Sequence, residues 1–145
     1  MFALTKSRCR SLPFRSFLVK MASRTVVTMR CGTADNSGAV LVRVIGNIGR
    51  RANKNPKIGD ICTVTVREAL NSKDSKVKRK DVVWAVLATS KKNFRRKDGS
   101  HIRSYRNSFV LIDKERKPIA NRILYPVARE LKKYKFVGDK AEVLI

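Results

Sequence analysis

From Arg24 onward, apolar residues recur at every second position in short runs, and turn-forming residues interrupt these runs at close intervals. Thr25, Val27, Met29 and Cys31 share one face of the first run, with Val26, Thr28 and Arg30 on the other. After the turn cluster Asp35-Asn36-Ser37-Gly38, Val40, Val42 and Val44 alternate with Leu41, Arg43 and Ile45. Beyond a Gly- and Arg-containing loop, Cys62, Val64 and Val66 alternate with Thr63, Thr65 and Arg67. Successive side chains of a strand point to opposite faces, so this period predicts half-buried β-strands. Their shortness and spacing predict a small antiparallel barrel or sandwich. Val82–Ala88 is apolar on both faces and is expected to run through the middle of the sheet. Near the C-terminus, Pro126 followed by Val127-Ala128-Arg129-Glu130-Leu131-Lys132-Lys133 predicts a short helix with proline in its first turn and lysines in its last. Val127 and Leu131, four apart, would then face the barrel.

Between the apolar runs Val82–Ala88 and Phe109–Ile112 lies Lys91–Arg106, with seven Lys or Arg and one acid, Asp98. Its centre, Asp98-Gly99, suits the turn of a β-hairpin because glycine accepts positive φ. A cationic ribbon held out from a packed scaffold is a device for gripping a polyanion. Like charge at that density repels itself, and an anionic partner offsets the repulsion. The whole chain repeats the theme, with 34 Lys and Arg against 11 Asp and Glu and a net charge of +23. Its 43% apolar content still supplies a core, which excludes a bare disordered polycation. An anionic membrane surface would call for one long basic amphipathic helix, and the pattern is strand-like instead. No apolar run approaches bilayer-spanning length, so no membrane insertion is expected.

Three loops carry the charge runs: Arg50–Lys57, Lys73–Lys80 and Lys91–Arg106. Their coincidence on one small domain predicts a phosphate-contacting surface built from Arg50, Arg51, Lys54, Lys78, Lys91, Lys92, Arg95, Arg96, Lys97, Arg103 and Arg106. Phe94 and Tyr105 lie within it, suited either to base stacking or to packing on the core. With 7% aromatics, backbone gripping of folded RNA fits better than base reading.

Catalysis finds little footing. The lone histidine, His101, sits inside the basic ribbon, and the acids are scattered singly, leaving no pair for general acid–base or two-metal work. Gly46-Asn47-Ile48-Gly49-Arg50-Arg51 lacks both the GK[ST] ending of a P-loop and three-glycine dinucleotide spacing. Cys9, Cys31 and Cys62 are widely spaced, without the CxxC pair of a zinc site or the even count of a disulfide framework. Cys31 and Cys62 are expected to be buried. No enzyme, cofactor or metal is anticipated.

Residues 1–30 hold seven basic residues and no acid, with Ser7, Ser11, Ser16 and Ser23 among Arg8, Arg10, Arg15 and Arg24. That is the composition of a mitochondrial targeting (transit) peptide; the alternative is a basic arm that stays in place against RNA. Pro13 breaks any single long helix there. The expected organisation is an extension over residues 1–23 and one β domain over 24–145.

Six ordered blocks then resemble one family, the universal large-subunit ribosomal protein number fourteen in its bacterial or organellar form. They are Ala34-Asp35-Asn36-Ser37-Gly38-Ala39; Gly59-Asp60-Ile61 with Val66-Arg67-Glu68-Ala69; Lys80-Asp81-Val82 with Ala85-Val86; Arg95-Arg96-Lys97-Asp98-Gly99-Ser100-His101-Ile102-Arg103; Arg122-Ile123 with Pro126-Val127-Ala128-Arg129-Glu130-Leu131; and Lys135-Phe136 with Glu142-Val143-Leu144. Ala88, Asn121 and Tyr125 depart from the family's usual residues. The resemblance implies a mainly β fold: a five-stranded β-barrel with a projecting basic hairpin and a short C-terminal helical region. It implies a structural role in translation on the interface side of the large subunit. The implied partners are large-subunit rRNA, neighbouring ribosomal proteins and small-subunit rRNA at an intersubunit bridge. It also implies a docking surface for ribosome silencing factor around Asn121, Arg122 and Lys135. With the N-terminal composition, the expected location is the mitochondrial matrix, on the ribosome. The alternative is an autonomous OB-like RNA-binding or RNA chaperone module.

Overall fold

The computed structural model describes residues 30–49, 55–71 and 75–145. The expected extension, the first half of the first strand run, and Arg50, Arg51 and Lys54 lie outside the described residues. Five strands close into a barrel in the order β1 (Arg30–Thr33), β2 (Ala39–Asn47), β3 (Ile61–Ala69), β4 (Val82–Thr89) and β7 (Ser108–Ile112). Neighbours are antiparallel except at the seam, where β1 and β7 run parallel with Gly32 opposite Ser108 and Thr33 opposite Phe109. Closure leaves no strand of the barrel with an open edge.

The expected alternation holds in β3, where Cys62, Val64 and Val66 point into the barrel. In β2 it needs correction at one residue. Val40 is exposed, and Ala39 takes the inward place beside Val42 and Val44, because the register with β3 shifts between Ala39 and Leu41. An extra residue at such a shift inverts the facing of what precedes it.

The doubly apolar β4 and β7 separate two cores. Ala85, Leu87, Phe109 and Leu111 fill the barrel interior, while Val86, Ala88, Val110 and Ile112 pack outward beneath Ile123, Val127, Leu131 and Val137 of the C-terminal segment. That segment departs from the expected helix over 127–133. Val127 is extended and bridges Leu144 in parallel, its N–H donating to Val143 O (3.1 Å), and Ile145 N–H donates back to Val127 O (2.9 Å). A 3-10 turn starts only at Arg129 and runs to Lys133, followed by α1 (Lys135–Lys140). The chain end, Val143–Ile145, supplies hydrogen bonds that a helix through Val127 would have had to find internally. Val127 and Leu131 are both fully buried against the barrel, as their spacing suggested.

Asp35 and Gly38 tie the turn after β1 to this assembly. Asp35 Oδ2 accepts the Leu111 N–H (2.7 Å), and its Oδ1 accepts the Ser37 hydroxyl (2.6 Å) and N–H (3.3 Å). Gly38 sits at φ +91°, with Ser75 Cβ 2.5 Å from where a side chain would begin, so only glycine fits.

Cys31 and Cys62 are buried thiols, neither of them in a disulfide. Burial pushes Cys62 up to about 12, and Cys31 is raised by the same cause. Only thiolate alkylates readily. Both cysteines are therefore expected to resist iodoacetamide at mildly alkaline pH in the native chain and to react fully once it is denatured, as peptide mass spectrometry would read. Rapid native labelling of either would contradict the barrel packing.

Candidate nucleic-acid interface

The basic ribbon is a hairpin, as expected. β5 (Phe94–Arg95) pairs antiparallel with β6 (His101–Ile102), Phe94 opposite Ile102 and Arg95 opposite His101. Arg96 N–H donates to Ser100 O (2.8 Å), Gly99 N–H donates to Arg96 O (3.2 Å), and Gly99 adopts φ +85°. Asp98 Oδ1 accepts the Ser100 hydroxyl (2.7 Å) and N–H (3.2 Å), an Asx-type closure of the tip. Those Ser100 bonds, aided by the Arg129 guanidinium, hold the Asp98 carboxyl below the usual range.

The hairpin does not project freely. Its base is seated by Phe94 and Ile102, which pack on the outer core, so Phe94 rides against the protein rather than standing ready for a base. Its tip is braced on the C-terminal segment by two crossed ion pairs, Arg96–Glu130 and Arg129–Asp98. Arg96 Nε lies 2.6 Å from Glu130 Oε1 without the alignment of a hydrogen bond, while its Nη2 donates to Ile145 O (2.5 Å). The Arg96 side chain is only 13% exposed. Of the neighbouring arginines, Arg95 is the one turned to solvent, and Arg96 is the brace. Glu130 was not among the residues singled out from sequence. Its only signal was to be an acid in an otherwise basic and apolar block, Arg129 to Lys133.

The other cations distribute unevenly. Lys97, Lys92 and Lys91 are exposed. Lys91, Arg103, Ser104 and Tyr105 line an open cleft of ≈ 340 Å³ at the hairpin's base, with Tyr105 95% exposed. Arg106 stacks its guanidinium 3.7 Å over the Tyr125 ring, at the seam side of the barrel. Lys78 stands apart, in the turn before β4, where its N–H donates to Asp81 Oδ2 (2.8 Å). Asn121 and Arg122 are brought together by Asn36, whose Oδ1 accepts both backbone N–H groups (3.2 Å each). The Asn121 side chain accepts from Lys76 Nζ (2.8 Å), and Arg122 Nε reaches Glu142 at 3.5 Å. Lys135 opens α1, whose far end lies beside Ile123, about 8 Å along the axis. Among the described residues no group of His, Cys, Asp and Glu is placed to hold a metal, and no helix is long and apolar enough to cross a membrane.

A closed barrel whose second core exists to seat and brace a cationic hairpin is built for holding charge still, and this defines the class: a rigid, polyanion-binding scaffold protein. A family model for ribosomal protein L14p/L23e matches residues 24–140, and the chain belongs to that family. The family is one of structural, non-enzymatic proteins of the large ribosomal subunit, which bind rRNA and adjoin other ribosomal proteins.

Proposed function

We propose that this chain is a structural constituent of the mitochondrial large ribosomal subunit, where its braced hairpin neutralises rRNA phosphates and helps form an intersubunit bridge during translation. The observation that carries the reading is the hairpin's division of labour: Arg96 is committed to Glu130 and Ile145, while Arg95, Lys97 and Arg103 face solvent. Guanidinium forks suit bidentate phosphate contact, and lysines act as point charges beside them. Lys78, Lys91, Lys92 and Arg106 extend the contact, as do Arg50, Arg51 and Lys54 by their sequence. The Asn121–Arg122 corner and Lys135 form the proposed surface toward the small subunit or a silencing factor. The mitochondrial location rests on the basic, Ser-containing, acid-free composition of residues 1–23. Sequencing the mature N-terminus from purified organelles tests it, and a chain recovered only outside mitochondria would refute it.

The triple variant Arg95→Ala/Lys97→Ala/Arg103→Ala is expected to fall severalfold in gradient co-sedimentation with large subunits while its urea midpoint stays unchanged. For the wild-type chain, contact with about ten phosphates predicts a log–log salt slope of roughly −7 to −9. Normal co-sedimentation of the triple variant, or a native pool found mostly free of ribosomes, would favour an autonomous RNA-binding module instead.

A further inference from the structure

Asp98 is the only aspartate in the chain that is followed by glycine. Such a bond is chemically weak. The amide nitrogen of the following residue attacks the aspartate Cγ, and glycine, lacking Cβ, obstructs that approach least. Attack closes a five-membered succinimide. The N–Cγ bond forms, one carboxyl C–O bond breaks, and that oxygen leaves as water with the carboxyl proton and the amide proton. Water then adds back at either carbonyl of the ring. Opening at the main-chain carbonyl yields isoaspartate, whose backbone runs through Cγ and is longer by one methylene. The two steps leave the mass unchanged and need no oxidant, cofactor or enzyme.

The bond is open in space and closed by contacts. Asp98, Gly99 and Ser100 are all exposed, and nothing lies within 4 Å of where a Gly99 side chain would begin. Gly99 holds φ +85°, so the turn keeps the very glycine that makes the bond weak. Against the reaction stand both carboxyl oxygens and the nucleophile itself. Asp98 Oδ1 accepts the Ser100 hydroxyl (2.7 Å) and N–H (3.2 Å), and Oδ2 accepts the Arg129 guanidinium. Gly99 N–H is turned the other way, donating to Arg96 O (3.2 Å). A carboxylate anion is a poor electrophile, and hydrogen bonds and a guanidinium both favour the anion over the reactive acid. Bringing Cγ against the Gly99 nitrogen requires these contacts to let go.

We propose that Asp98–Gly99 is a site of spontaneous isoaspartate formation, held in check by the Arg129 and Ser100 contacts and released when the hairpin tip leaves its brace. Conversion moves the carboxylate away from Arg129 and Ser100 together. It also adds a bond to a turn that the Arg96–Ser100 pairing closes at fixed length, so a converted tip does not return to its seat. The modification thus records time spent unbraced, as in a chain that is unfolded or only partly folded. It is a property of the chain itself and stands apart from what the hairpin binds.

The test holds the full-length chain at neutral pH in native buffer and, in parallel, in guanidinium chloride. Isoaspartate at position 98 is followed over days by peptide mass spectrometry with electron-transfer fragmentation. Folded wild type is expected to convert at least about tenfold more slowly than the unfolded chain. Arg129→Gln and Ser100→Ala should each speed conversion about three- to tenfold in native buffer, and should match wild type within about twofold in denaturant. Two variants are used because Ser100→Ala leaves the ion pair intact and Arg129→Gln leaves the turn's own closure intact. Hydrogen exchange at the Arg96 and Gly99 amides should be faster in the converted fraction than in the unconverted one. Absence of isoaspartate at Asp98 in the denatured chain overturns the proposal, and so does folded wild type that converts as fast as unfolded. A native rate equal to wild type in either variant overturns the assigned role of that contact. A variant that is faster by the same factor in denaturant also overturns it, since the effect then lies in the local sequence and not in the brace.

Discussion

Asp35→Ala is expected to lose about 3 kcal/mol of folding stability, because it strands buried donors rather than removing a surface charge. Leu111 N–H, in the middle of a wholly buried strand, has its partner in Asp35 Oδ2, and the Ser37 hydroxyl and N–H have theirs in Oδ1. Ser37 is fully buried and Asp35 only 6% exposed, so water does not substitute easily. At a urea m-value of about 1.5–2 kcal/mol/M the midpoint should fall by roughly 1.5–2 M. Asp35→Asn should lose less, since one oxygen still accepts while the amide confronts a donor. Wild type and Asp35→Asn differ in pH behaviour as well. Burial pushes the Asp35 carboxyl up, opposed by the Ser37 and Leu111 hydrogen bonds. A folded pKa above the unfolded one means that this group's contribution is complete below the unfolded carboxylate range and is lost as pH rises through the folded value. The margin of wild type over Asp35→Asn should therefore narrow as pH rises above about 4. A loss below about 1 kcal/mol in Asp35→Ala would show that the turn is not anchored through this carboxylate.

The strands were legible because their period is local. Cys62, Val64 and Val66 declare an inward face without reference to anything else in the chain. Val82–Ala88 declared burial on both faces, but not what lay on the second one; the cover is Val127, Leu131 and Val137, some forty to fifty positions on. The segment around Val127 was misread for the same reason. Its spacing to Leu131 is helical, yet it pairs with Leu144, and an isolated parallel bridge leaves no periodic trace. At the hairpin, charge and Asp98-Gly99 identified the element and its turn. They could not distinguish Arg95 from Arg96, which are the same residue type one position apart. That difference is set by Glu130 and the Ile145 carbonyl, partners that only tertiary structure brings near.

The roles of Arg96 and Glu130 can be separated by sign. If Arg96 were simply another phosphate ligand, Glu130→Ala would strengthen RNA binding, since it removes a competing acid and frees a guanidinium. One added charge-assisted contact is worth about 1.5–3 kcal/mol at most. Against this stands the brace. Without Glu130, a guanidinium that is 13% exposed loses its counter-ion, and the tip from Arg96 to Ser100 retains the Asp98–Arg129 pair and the single hydrogen bond from Arg96 to Ile145 O. Fixing a loosened residue again on binding costs roughly 1–2 kcal/mol, so freedom regained by only three residues outweighs the extra contact. Glu130→Ala is therefore expected to weaken RNA binding about tenfold and to speed hydrogen exchange at the Arg96 and Gly99 amides, with loss of about 2 kcal/mol of local stability after allowance for partial exposure. Arg96→Ala should weaken binding at least as much, since it also removes the hydrogen bond to Ile145 O. The double variant should be no worse than Arg96→Ala alone, because the ion pair is already gone. Tighter binding by Glu130→Ala would instead make Arg96 a contact residue in its own right, and would mean that the hairpin's orientation is imposed by RNA rather than offered to it.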